Sequence, residues 1–165
     1  MKSRTILIAM AVAAFEVAGL FLFGRPGGRP ERLPKGTPAE FNLIFKYDGS
    51  VLNTFEHTYT KDMVGDPSIT IRFELSQSEL AQVYQKIYDL DPYDVGQRTS
   101  GNGARIPCSY FFLRVQVDST TKEMSWSDCR GLVNDTLQQL TEYIISVIES
   151  KEDYKRLPAP RFFRY

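Results

Sequence analysis

Residues 68–87 read Ser68-Ile69-Thr70-Ile71-Arg72-Phe73-Glu74-Leu75-Ser76-Gln77-Ser78-Glu79-Leu80-Ala81-Gln82-Val83-Tyr84-Gln85-Lys86-Ile87, and the hydrophobic period changes in the middle of that stretch. Up to Leu75 the pattern alternates. Ile69, Ile71, Phe73 and Leu75 point one way and Thr70, Arg72 and Glu74 the other, as in a half-buried strand. Ser76-Gln77-Ser78-Glu79 is then a capping box, in which serine and glutamate satisfy each other's free backbone amides. Leu80, Val83, Tyr84 and Ile87 recur at helical spacing and form an apolar stripe. Asp91-Pro92 ends the helix, because proline disfavours helical geometry in the residue before it. A one-faced strand running straight into an amphipathic helix predicts a sheet with helices on one side.

On the N-terminal side, residues 40–47 and 51–60 read as two strands around Asp48-Gly49, a strong hairpin signal. A two-residue loop would set Phe45 against Leu52 and Phe41 against Glu56. A three-residue loop ending in Gly49 sets Phe45 against Val51, Leu43 against Asn53 and Phe41 against Phe55. Like then faces like, so the longer loop is expected, with His57 and Tyr59 on the face of Phe41 and Phe55. Residues 61–67 read as a turn-rich connector.

On the C-terminal side, the glycine-rich residues 96–107 read as a loop, and 110–117 with 122–128 as a second hairpin turning near residues 118–121. Asp135 and Gln138 are expected to cap a last helix with the stripe Leu137, Leu140, Ile144 and Val147 or Ile148. Pro158-Ala159-Pro160 stops it, and Arg161-Phe162-Phe163-Arg164-Tyr165 is an aromatic-basic tail. The order β-β-β-α-β-β-α predicts an α+β fold: an antiparallel sheet of about five strands with two helices on one face.

The first 35 residues carry a different signal. Lys2 and Arg4 precede an almost unbroken apolar run over residues 5–23, about the length needed to cross a bilayer core. Residues 24–37 are rich in Gly, Pro and Arg and offer little apolar surface for folding. The expected organisation is a signal-anchor or signal peptide at 1–23, a tether at 24–37 and a single domain at 38–165. Ala11-Val12-Ala13 offers a cleavage site but leaves a short core before it. Glu16 costs roughly 2.5–3.5 kcal/mol at mid-membrane and reads as a tolerated charge in a marginal anchor. Basic residues flank the run on both sides, and the heavier cluster after it would by itself hold the C-terminal part in the cytoplasm.

The cysteines argue the other way. Cys108 and Cys129 flank the second hairpin, which brings them close to opposite each other. A disulfide is expected there, and disulfides belong to oxidising compartments. The domain is therefore placed outside the cytosol, with secretion after leader cleavage as the alternative.

Chemistry is thin. Acidic and basic residues number 20 each and are interspersed, so there is no basic stripe for nucleic acid. His57 is the only histidine and has no nucleophile motif near it. One histidine and two bridged cysteines cannot make a zinc set. Asp62, Gly65 and Asp66 lack the alternating oxygen ligands of a calcium loop and read as a turn. No cofactor is expected. His57, Tyr59, Trp126, Arg161, Phe162 and Phe163 are the candidate binding surface, although Trp126 reads first as a packing residue of its hairpin.

Tyr47-Asp48-Gly49-Ser50-Val51, residues 59–67 (Tyr-Thr-Lys-Asp-Met-Val-Gly-Asp-Pro), residues 75–80 (Leu-Ser-Gln-Ser-Glu-Leu) and Met124-Ser125-Trp126 resemble a group of uncharacterised bacterial secreted or membrane-anchored proteins. The resemblance covers most of the domain and rests on structural motifs. It implies a bacterial envelope location and no particular chemistry. The expected function is a non-catalytic extracytoplasmic binding module, anchored in the membrane by its N-terminal helix and meeting an envelope protein partner. An envelope hydrolase, or a carrier of a small ligand or lipid, is the alternative.

Overall fold

Asp48 and Gly49 make the first turn, and both hold positive φ, 48° and 83°. Such a pair forms a two-residue turn whose twist matches that of the strands it joins. The computed structural model of this chain describes residues 32–36, 38–95, 107–129 and 133–162. In it β1 (Phe41–Tyr47) and β2 (Ser50–Asn53) pair with Tyr47 opposite Ser50 and Phe45 opposite Leu52. This corrects the expected three-residue loop. Leu43, Phe45 and Leu52 are fully buried on one face, while Val51 lies on the other. Matching apolar with apolar across the turn misled because both faces of this hairpin carry apolar residues.

Asn53 ends β2. Its side-chain oxygen accepts from the amides of Phe55 and Glu56 at 3.1 and 3.4 Å, an Asx turn, and His57 completes the reversal at φ 53°. The run at 51–60 is therefore two strands, β2 and β3 (Thr58–Lys61), so the sheet has six strands rather than about five. β4 (Ile69–Arg72) follows, shorter than expected. Phe73 continues inward from its end, and its amide donates to the His57 carbonyl at 2.8 Å.

α1 (Gln77–Leu90) begins at the capping box. The Glu79 amide donates to Ser76 Oγ (3.2 Å) and the Ser76 amide to Glu79 Oε2 (2.6 Å). The single turn α2 (Pro92–Val95) follows Asp91, which closes α1 in a left-handed conformation. β5 (Tyr110–Val117) and β6 (Thr120–Ser127) turn on Asp118 and Ser119, and α3 (Asp135–Ser150) and the single turn α4 (Glu152–Lys155) complete the chain. Asn134, rather than Asp135, caps α3 by accepting from the Thr136 amide at 2.9 Å. α3 ends before the prolines, because Lys151 is extended at ψ 139°.

The sheet is antiparallel in the order β4-β3-β2-β1-β5-β6. One face presents Leu43, Phe45, Leu52, Tyr59, Leu113 and Val115 to Val83, Tyr84 and Ile87 of α1 and to Leu137, Leu140, Ile144 and Ile148 of α3. Each such side chain contributes roughly 1.5–3 kcal/mol on burial. Lys151 at the end of α3 pairs with Glu79 at the start of α1 (2.8 Å), joining the two long helices.

The packed domain starts earlier than the tether boundary at residue 37 implies. Leu33 is only 5% exposed and belongs to the core. The Tyr84 hydroxyl donates to the Pro34 carbonyl, and Arg32 pairs with Asp91 at 3.3 Å while its guanidinium lies 4.6 Å from the Tyr88 ring centre. The leader at 1–23, most of the tether and the loop at 96–106 lie outside the described residues. Among the described residues, no helix is long and apolar enough to cross a membrane.

Candidate functional site

The β5–β6 register places Tyr110 opposite Ser127. Continued two residues, it sets Cys108 against Cys129. They form a disulfide across a Cα separation of 4.7 Å, closing the open end of the hairpin. Between them and the ladder, the Asp128 amide donates to the Ser109 carbonyl (3.2 Å) and Asp128 Oδ1 accepts from the Ser109 amide (2.6 Å). Cys108, Cys129 and Asp128 come within 4.8 Å of one another, but the two sulfurs are bonded to each other and supply no thiolate to a metal.

The candidate surface residues do not converge. His57 is exposed on the β2–β3 turn, off the sheet face assigned to it in the sequence reading, because the Asx turn interrupts the strand. Tyr59 is 1% exposed in the core. It lies between Phe73 and Tyr154, and its hydroxyl is 2.7 Å from that of Tyr47. Burial, then the coupling to Tyr59, raises the Tyr47 phenol well above its ordinary value. Burial likewise pushes the Tyr154 phenol up to about 12. Trp126 is 5% exposed and stacks on Phe111 across the hairpin, with ring centres 5.4 Å apart. Arg161 reaches Asp66 at 3.5 Å, and the exposed Phe162 lies over Gly65. Phe163 lies outside the described residues.

Two concavities involve these residues. The first, about 570 Å³, lies between the His57 turn and the start of α1 and includes Glu40, Glu74, Thr54 and Ser76. Its two hydroxyls and Glu74 are committed elsewhere. Thr54 Oγ1 accepts from the Leu43 amide at 2.8 Å, and Ser76 Oγ caps α1. The hydrogen bond and charge of Arg72 hold the Glu74 carboxyl below the usual range, so it stays ionised and is poorly suited to act as a general acid.

The second concavity, about 270 Å³, lies between the disulfide end of the β5–β6 hairpin and α3. Phe111, Trp126 and Val133 form its apolar wall, and Thr141, Gln138 and Glu142 line it from α3. Trp126 Nε1 and Thr141 Oγ1 are both buried without a hydrogen-bond partner. An unsatisfied buried polar atom costs roughly 1–3 kcal/mol, so two beside one cavity need an explanation. Thr141 was not singled out in the sequence. Its signal is a hydroxyl residue set beside the apolar stripe of Leu137, Leu140 and Ile144.

Among the described residues, no helix covers the outer sheet face. Ile44, Lys46, Val51, Phe112 and Arg114 lie on it, with Tyr110 69% exposed and Phe55 at its margin 37% exposed. Lys46 Nζ lies 5.4 Å and the Arg114 guanidinium 5.9 Å from the Phe112 ring centre, and Arg114 also pairs with Glu123 at 2.6 Å. The chain matches no family model, and no curated protein matches it.

Proposed function

We propose that this chain is a non-catalytic binding module of the bacterial envelope, held at the membrane by its N-terminal segment and meeting a protein partner with the uncovered face of its sheet. The observation that carries this is the composition of that face. Phe112, Tyr110 and Arg114, of the aromatic and arginine types enriched in protein interfaces, stand together there beside Ile44 and Lys46. The Cys108–Cys129 disulfide is consistent with an oxidising, extracytoplasmic compartment. The hydrolase reading rests on His57, Glu40 and Glu74 sharing one cleft. It is the weaker one, because the Thr54 and Ser76 hydroxyls are already engaged and Glu74 is paired with Arg72.

The test is site-specific photocrosslinking in native envelopes. A photoreactive residue replaces Lys46, Phe112 or Thr121 on the outer face, or Gln82 or Gln139 on the helix side. Discrete protein adducts from the first group alone are expected. Adducts from the helix side alone would overturn the assignment of the face, and their absence from every position would overturn the partner reading.

A further inference from the structure

We propose that the cavity between the β5–β6 hairpin and α3 is a binding site for a small, flat, apolar molecule bearing an uncharged carboxamide. This is independent of what the outer face of the sheet engages. Phe111, Trp126 and Val133 give the cavity an apolar wall, and its volume of about 270 Å³ suits one ring with a short polar head. Two polar atoms beside it are orphaned. Trp126 Nε1 can only donate, so it calls for an acceptor. Thr141 Oγ1, also without a partner, can do either. Trp126 and Thr141 are 5% and 9% exposed, so water does not substitute freely for the missing partner.

The remaining polar groups select the head. Glu142 and Asp128 place carboxylates at the cavity, which accept hydrogen bonds and repel anions. A carboxylate head would satisfy Trp126 but face these charges. An ammonium head would suit the carboxylates but leave the indole N–H orphaned. A carboxamide carries the acceptor for Trp126 or Thr141 and the N–H donors for Glu142 in one neutral group. Entry is from the α3 side. There Gln138 and Glu142 are exposed and bonded to each other at 2.8 Å, and a ligand reaches the sealed atoms only by displacing the side chains over them.

Trp126 is the only tryptophan, so its fluorescence reports on this wall alone. The full chain in detergent is titrated with benzamide, benzoate and benzylamine. Benzamide is expected to give a saturable change in emission with a dissociation constant in the millimolar range or tighter, as befits a fragment. Benzoate and benzylamine should bind about tenfold more weakly or worse, the factor equivalent to one good hydrogen bond. Thr141→Val should weaken benzamide by about the same factor while preserving shape. Val133→Phe, which fills the cavity and leaves both polar atoms in place, should abolish the response, and it decides the matter if Thr141→Val does not fold. No saturable change with benzamide would overturn the site, and so would an unchanged affinity in the folded variants. Equal or tighter binding of benzoate or benzylamine would overturn the carboxamide assignment.

Discussion

Leu33→Ala should destabilise the domain by at least about 2.5 kcal/mol, although its neighbourhood in the sequence reads as a loose tether. The substitution removes three carbons from a side chain that is 5% exposed within the core. At roughly 0.8 kcal/mol for each buried methylene-sized group, the transfer loss is about 2.4 kcal/mol. A cavity term, which raises core leucine-to-alanine costs toward 5 kcal/mol, adds to this wherever the site does not collapse, so about 2.5 kcal/mol is the lower end of the expected loss. Alanine leaves the bond between the Tyr84 hydroxyl and the Pro34 carbonyl in place, so that contribution cancels. For a domain of this size that lower end corresponds to a fall in melting temperature of roughly 8–12 °C. The assay is urea and thermal unfolding followed by circular dichroism, with Arg32→Ala as the comparison. Arg32 is 54% exposed in its pair with Asp91, so its loss should cost under about 1 kcal/mol. A Leu33→Ala protein within about 0.5 kcal/mol of wild type would refute the inclusion of residues 32–34 in the core, since surface substitutions fall in that range.

Replacing both cysteines with serine should cost about 3 kcal/mol, the loop-closure value for a sequence separation of 21; a double variant as stable as wild type under non-reducing conditions would contradict it. Burial opposes the charge on Glu79, but the bonds from Lys151 and Ser76 outweigh it and hold its carboxyl below the ordinary value. Its contribution is therefore present above the usual carboxylate range and lost as pH falls through the lowered value. Glu79→Gln should be about 1 kcal/mol less stable near neutral pH, with the gap closing in denaturant titrations below about pH 4; a gap that does not change with pH would refute the linkage.

Features that rest on neighbouring residues were legible in the sequence. The capping box at Ser76 and Glu79, the stop at Asp91 and the stripes of α1 and α3 need only local spacing, and the structure has them. The facing of Cys108 and Cys129 followed from hairpin symmetry alone. What escaped depends on tertiary context. Val51 and Leu52 are similar in hydropathy, and only the placement of the helices makes Leu52 the inward residue. The break after Asn53 depends on a side-chain turn that an otherwise continuous strand pattern conceals. Tyr59 read as a surface aromatic, yet its hydroxyl finds Tyr47 inside the core. Leu33 is one apolar residue among Gly, Pro and Arg, and composition averages it away. The cavity beside Trp126 joins Phe111 with Thr141, two residues brought together only when α3 packs on the β5–β6 hairpin.

The most direct measurement is complementation of a chromosomal deletion in the native cell by two variants of matched stability and abundance. Phe112→Asp replaces an apolar ring between Lys46 and Arg114 with a charged group that is costly to desolvate, on the sheet face that no described helix covers, and leaves the His57 cleft untouched. His57→Ala removes the only imidazole and leaves the sheet face intact. The expected result is that Phe112→Asp fails to restore the wild-type phenotype and His57→Ala restores it fully. Restoration by Phe112→Asp together with failure of His57→Ala would contradict a module that acts by binding through its sheet, and would move the function to the cleft.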